Sequence, residues 1–257
     1  MGKPNFFIVG APKCGTTSLY NYLAEHNDIF LPSMKEPHYF TIDRPSKRRM
    51  TTLDEYLSLY NDVEPHHTAV GDASVSYLNS KIALESIKKF DNNAKIIVML
   101  RNPVDLIYSQ HSQLLFSVDE NVKNFMVAYL LQDKRKAGKR IPKTCRDSSF
   151  LQYTERAQLG KQIQRLYNIF PKNQVKVILF ENFVSNTSEI YREILNFLGL
   201  TTDFNPNFKK YNPRSENRFP GLAKILKRQP PVLVSKIVKF VRDVTGIKYD
   251  IRSIIND

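Results

Sequence analysis

The stretch Phe6-Phe7-Ile8-Val9-Gly10-Ala11-Pro12-Lys13-Cys14-Gly15-Thr16-Thr17 decides how the rest of this 257-residue sequence is read. Four apolar residues in a row predict a strand buried on both faces, as in a parallel sheet. Gly10 and Gly15 bracket a tight loop, and Ser18-Leu19-Tyr20-Asn21-Tyr22-Leu23 follows with helical character. A strand, a glycine loop and a helix in that order turn several backbone N–H groups and a helix N-terminus towards one anion. The alternative is a tight turn with only a structural role.

Working outward, the same alternation recurs. Lys95-Ile96-Ile97-Val98-Met99-Leu100 is the clearest strand, and Pro103 sits where proline suits the first turn of a helix running towards Phe116. A short strand is expected near Thr68–Gly71 and another over Gln174–Phe180. Helices are expected near Glu155–Phe170 and over Ser188–Leu198, the latter closed by Gly199. Strands alternating with helices predict an α/β fold: a P-loop-type three-layer domain with a central parallel β-sheet flanked by helices. The length fits a single domain over residues 1–257.

The loop departs from the nucleoside-triphosphatase pattern Gly-x-x-x-x-Gly-Lys-Ser/Thr. Thr16 stands in the lysine's place, and the lysine has moved to position 13. The strand 95–100 ends in Arg101-Asn102, where a Mg²⁺-dependent phosphoryl transferase would carry an acid. Both departures argue against a kinase or triphosphatase. They suit a donor with phosphates at its two ends and no triphosphate chain.

The segment Gly10–Leu19 resembles the 5′-phosphosulfate loop of sulfotransferases that use 3′-phosphoadenosine 5′-phosphosulfate (PAPS). Arg101-Asn102-Pro103-Val104-Asp105, with Ser109, resembles that family's 3′-phosphate element. Lys35-Glu36-Pro37-His38-Tyr39-Phe40 is similar to the Glu-x-His-Phe-Phe segment of the heparan-sulfate-type branch. Gly71–Leu78 is similar to its Glu-Lys-Ser/Thr-Pro-x-Tyr segment, and Phe197-Leu198-Gly199-Leu200 matches a late family motif. The likeness spans about residues 5–220 and includes bacterial relatives.

The resemblance implies an enzyme that moves a sulfuryl group from PAPS to an acceptor hydroxyl, releasing 3′-phosphoadenosine 5′-phosphate (PAP), with no metal required. Donor contacts fall on Lys13, Cys14, Gly15, Thr16, Thr17 and Ser18, and on Arg101 and Ser109. Lys210 and Arg214 are candidates for further contacts on the nucleotide side. Lys13 would offset charge on the leaving oxygen. Glu36 would take the acceptor's proton, with His38 as competing base or orienting partner. Lys35, Asp72 and Ser74 are candidate substrate-binding residues. Ala73 stands where the family often has lysine, so one cation expected near the sulfuryl group is absent from that place.

A net charge of +13 points to an anionic partner without choosing one. The basic segment 134–149, with Lys134, Arg135, Lys136, Lys139, Arg140, Lys143 and Arg146, reads as a loop or lid facing an acidic acceptor, or as a mobile solvated loop. The acceptor is expected to be a carbohydrate; a small secondary metabolite such as an alkaloid is the alternative. A basic nucleic-acid-binding protein would share the charge, but the sequence has no recognition helix or aromatic stacking motif, so no nucleic-acid partner is expected. The C-terminal segment 221–257 carries Leu233, Val234, Ile237, Val238, Val241 and Val244 at helical spacing. Two cysteines, no apolar run of membrane-spanning length and no metal-ligand spacing lead to a cytoplasmic enzyme without a transmembrane anchor as the expectation.

Overall fold

The computed structural model describes residues 2–44 and 49–209. Two compact units appear. One comprises residues up to Leu106 together with 156–209; the other comprises Ile107–Glu155. Lys210, Arg214 and the 221–257 segment lie outside the described residues.

The first unit is built on five strands: β1 (Phe6–Gly10), β2 (Ile29–Phe30), β3 (Ala69–Asp72), β4 (Lys95–Leu100) and β5 (Val175–Leu179). They form one sheet in the order β2-β3-β1-β4-β5, with every described pairing parallel. The central strands are the driest part: Phe6, Phe7, Ile8 and Val9 in β1, and Ile96 to Met99 in β4, are wholly buried. That is the burial that continuous apolar runs predict for a parallel sheet covered on both faces.

The crossovers place the helices. β1 leads through α1 (Thr16–Ala24) to the β2 side of the sheet, whereas β3 leads through α3 (Ala83–Phe90) towards β4; α2 (Leu53–Ser58) lies between β2 and β3. Parallel crossovers are right-handed, so opposite directions of travel put α1 and α3 on opposite faces. The packing agrees. Tyr22 of α1 meets Phe183 of α9 (Phe180–Ser185) and accepts at its carbonyl from the Tyr191 hydroxyl of α10 (Thr187–Leu198) at 3.4 Å. On the other face α3 packs on α8 (Leu159–Ile169). Gly199 takes a left-handed conformation (φ 84°) to close α10, and Lys95 Nζ donates to the last carbonyl, Leu198, at 2.8 Å.

The boundary between the units falls within α4 (Pro103–Phe116), which starts and ends where the sequence predicts. The helix expected near 155–170 is two helices, α7 (Tyr153–Ala157) and α8. The strand expected to reach Phe180 stops at Leu179, and Phe180 opens α9.

In the second unit, α5 (Phe125–Leu130) and α6 (Gln132–Lys136) precede a 3-10 turn at Ser148–Leu151. The basic segment expected as a loop or lid therefore begins as helix. Its cations are also less available than the sequence implies. Arg135 is fully buried and paired through both terminal nitrogens with Glu120, at 2.6 and 2.7 Å. Arg146 pairs with the buried Asp119 at 2.6 Å, and Lys136 with Glu155 at 3.1 Å. Lys134, Lys139, Arg140 and Lys143 are exposed and have no acidic partner among the described residues.

Candidate active site

In an open parallel sheet, ligands bind outside the carboxyl ends of the strands where successive connections diverge. Here that place is the crevice between β1 and β4. β1 sends its chain towards the β2 edge, and β4 sends its chain towards β5. The loop carrying Lys13 and the strand end carrying Arg101 both open there.

The loop geometry follows from its glycines. Gly10 has φ 139°, and a Cβ on it would come within 2.7 Å of the Val75 carbonyl. Gly15 has φ 82° and precedes the first turn of α1; its missing side chain leaves room for the Phe180 ring, which a Cβ would meet at 3.0 Å. Being glycine, it offers no side-chain cap to the N–H groups of that turn, and the turn has no acidic residue. An anion is the natural partner for such an end. Lys13 is itself left-handed (φ 64°) and part-exposed. Thr17 and Ser18 are part-exposed on the same first turn, and Thr16 is buried.

Cys14 points inward. Its thiol is wholly buried and donates to the Pro12 carbonyl at 3.5 Å. Burial pushes the thiol pKa up to about 12 despite the nearby Arg101 charge. A protonated inward thiol is no nucleophile, so Cys14 can serve a ligand only through its backbone.

Arg101 is held by two groups that the sequence does not announce. Its guanidinium carbon lies 4.8 Å from the centre of the Phe180 ring, and one terminal nitrogen reaches the Lys13 carbonyl at 3.5 Å. Next to it, Glu181 accepts the Asn102 N–H at 3.1 Å, which ties α9 to the end of β4. The Nε of Arg101 is buried without a hydrogen-bond partner among the described residues. The orphaned Arg101 donor and the uncapped start of α1 are each suited to a phosphate, so a donor with two phosphate groups would satisfy both. The residues present therefore fit a phosphorylated donor. Ser109 lies two turns along α4, in the second unit, and is half-buried. The signal for Phe180 and Glu181 was positional: like Arg101, they stand at the carboxyl end of a strand.

A carboxylate cluster occupies the segment after β2. Glu36 Oε1 accepts from Lys35 Nζ at 2.7 Å, and Oε2 meets His38 Nε2 at 3.1 Å. Burial alone would raise the Glu36 pKa, but the Lys35 charge and the His38 contact outweigh it and hold the carboxyl well below its ordinary range. Glu36 and His38 both adopt left-handed backbone conformations (φ 62° and 52°), uncommon for such residues. The segment is pinned around them. Thr41 Oγ1 donates to the His38 carbonyl at 2.8 Å, the Arg49 N–H to the Pro37 carbonyl at 3.1 Å, and the His38 N–H to Ser74 Oγ at 3.1 Å.

Ser74 leads to a second carboxylate. Its hydroxyl donates to Asp72 Oδ1 at 2.7 Å, while the hydroxyls of Tyr56 and Tyr77 donate to Oδ2, each at 2.8 Å. Burial raises the Asp72 pKa, and these hydroxyls oppose the rise. Asp72 and Ser74 are both wholly buried, and Ser74 links the Asp72 carboxylate to the His38 N–H behind the 35–39 segment. Ala73, where the family often has lysine, is buried as well.

A family model described as a sulfotransferase domain matches residues 3–218. The structure of a sulfotransferase from Alicyclobacillus acidocaldarius superposes with a TM-score of 0.73 at 30% identity, covering 97% of this chain and 98% of that one. Carbohydrate sulfotransferase 15 of Homo sapiens is 26% identical over 77% of this chain and 44% of its own length. Bifunctional heparan sulfate N-deacetylase/N-sulfotransferase 1 of Xenopus laevis is 27% identical over 77% of this chain and 22% of its own length. The chain thus spans less than half the length of these two relatives. With the fold, the anion cradle and the carboxylate cluster in the expected order, this chain belongs to the sulfotransferase domain family.

Proposed function

We propose that this chain catalyses transfer of a sulfuryl group from PAPS to a hydroxyl of a carbohydrate. One observation carries the reading: Arg101, at the end of β4, reaches the Lys13 carbonyl at 3.5 Å, which joins it to the glycine loop that opens the uncapped α1. Bound PAPS supplies the sulfuryl group: the acceptor oxygen bonds to sulfur as the bond from sulfur to the phosphate oxygen breaks, and PAP leaves.

The chain's own residues divide the work. N–H groups of Cys14 to Thr17, with the hydroxyls of Thr16 and Thr17, hold the phosphate next to sulfur. Lys13 steadies the negative charge gathering on the departing oxygen. Arg101 takes the 3′-phosphate, for which its fork is suited; Ser109 remains a proposed donor contact. Glu36 accepts the acceptor's proton, and His38 orients that carboxylate through Nε2. Lys210 and Arg214 remain proposed contacts on the nucleotide side.

A carbohydrate acceptor is supported by relatives named as carbohydrate and heparan sulfate sulfotransferases. Two free thiols accord with a reducing, cytoplasmic setting, which belongs to the same proposal. Among the described residues no helix is long and apolar enough to cross a membrane.

The test is transfer of labelled sulfate from PAPS to a panel of glycosaminoglycans, neutral oligosaccharides and small alcohols. Label is expected on a saccharide, with Glu36→Gln slowing transfer about 10²–10⁴-fold while binding PAP normally. Labelling only of small non-sugar alcohols overturns the acceptor assignment. Full turnover by Glu36→Gln moves the base to His38.

A further inference from the structure

Both oxygens of Glu36 are engaged in this structure, one by Lys35 and one by His38. A general base needs a free lone pair within reach of the proton it takes. Each oxygen keeps a second lone pair, but an ammonium at 2.7 Å holds the carboxylate in its charged form and weakens it as a base, so Glu36 acts at full strength only when a partner loosens. The two are not equally free to move.

His38 is 3% exposed at its side chain, its ring lies edge-on to Tyr77, and its backbone is tied to Ser74 and Thr41. Lys35 is 20% exposed, sits on a four-carbon stem and carries a compact charge that any strong anion attracts. Among the described residues, two further charged groups near Glu36 are engaged elsewhere. Arg49 lies against the Lys35 carbonyl at 3.5 Å, and Asp72 stands behind His38 on the far side of Ser74.

We propose that Lys35 is a movable cation that restrains Glu36 until a sulfuryl donor arrives, and then leaves the carboxylate for the anionic sulfuryl group. This rests on the reading of Glu36 as base. One displacement then does two things. It frees Oε1 for the acceptor hydroxyl, and it delivers positive charge to the group being transferred. It also accounts for the buried Ala73: the cation missing there comes from the neighbouring segment. Base activation becomes conditional on the donor, and PAP, which lacks the sulfuryl group, does not trigger it.

Carbon-13 NMR of glutamate carboxyls tests this, with the Glu36 signal assigned by its loss in Glu36→Gln. In Lys35→Met the Glu36 titration midpoint is expected to move up by about 1–3 pH units. In the unaltered protein, PAPS shifts the Glu36 signal towards its position in Lys35→Met, and PAP leaves it in place. Lys35→Met binds PAP as before and turns over about 100-fold more slowly; Lys35→Arg, which keeps a cation, recovers part of that loss. A Glu36 signal indifferent to PAPS, unchanged turnover in Lys35→Met, or loss of PAP affinity in that variant overturns the proposal. Active Glu36→Gln removes the base assignment; inactive Glu36→Gln beside fully active Lys35→Met removes the gate alone.

Discussion

Of the carboxylates in this chain that meet cations, Glu120 and Glu36 do opposite jobs. Glu120, in the second unit, faces Arg135 through two parallel hydrogen bonds; both side chains are wholly buried, and the Tyr153 hydroxyl adds a third bond at 2.9 Å. Glu36, in the first unit, meets one lysine and one histidine, with 29% of its side chain open to solvent. Glu120 also takes the N–H groups of Asn121 and Val122, each at 2.9 Å, so little acceptor capacity is left. The difference lies in reversibility. Parting Glu120 from Arg135 strands a charge in a dry interior, whereas parting Glu36 from Lys35 exposes each to water or to an incoming ligand. A closed pair holds structure, and an open one is available for chemistry.

The largest effect should come from breaking the closed pair on one side. Arg135→Met leaves Glu120 ionised and buried, and should cost about 3–5 kcal/mol in chemical unfolding. Replacing both partners with apolar residues, Glu120→Leu with Arg135→Met, should recover most of that loss. Equal damage from the double variant would mean that shape rather than charge holds the unit. The pair also sets an acid limit. Burial would raise the Glu120 pKa, but Arg135, the Val122 N–H and Tyr153 bring it below its ordinary value near 4.5. A lowered folded value stabilises above the unfolded value and is lost as pH falls through the folded one. Acid unfolding of the intact protein should therefore steepen below about pH 4.5, and the double variant should lack this component.

The support behind the open cluster comes next in size. Ser74→Ala removes the acceptor of the His38 N–H and one donor to Asp72, both in a dry interior. A cost of about 1–3 kcal/mol is expected. Turnover should fall while affinity for PAP holds, because the 35–39 segment loses an anchor and the nucleotide loop does not. Loss of PAP affinity in step with turnover would show that the segment is not positioned independently of the cradle.

The sequence made one of these regions legible and concealed the other. The glycine loop, Arg101 at a strand end and the Glu36 segment are local patterns, and local patterns survive without coordinates. Lys95–Leu100 and Pro103–Phe116 also fell where the sequence places them, because an apolar run and a first-turn proline are short-range signals. The Arg135–Glu120 pair spans fifteen residues and joins a basic run to an acid outside it. Inside a run of seven cations Arg135 looked solvated, since burial is decided by partners the pattern does not contain. Asp72 is a similar case: its three hydroxyl donors, Tyr56, Ser74 and Tyr77, come from two different segments of the chain, and the local pattern around Asp72 does not announce the bond from Tyr56. The α2 helix carries its own start signal in the sequence. Thr52 and Glu55 form a reciprocal capping box there, a signature written in the sequence as Thr-x-x-Glu.

The smallest effect sharpens the comparison most. Lys35→Met removes the partner of an ion pair that is shorter on paper than many stabilising contacts, at 2.7 Å. Its contribution to unfolding free energy should nevertheless stay within about 1 kcal/mol. Glu36 keeps its bond to His38 after the change, and its exposed fraction lets water take the vacated oxygen. Chemical unfolding of Lys35→Met beside Arg135→Met measures the contrast directly. A cost near that of Arg135→Met would make the Lys35–Glu36 pair a structural bond like the one in the second unit, and a cation bound that firmly would not be free to move to a donor.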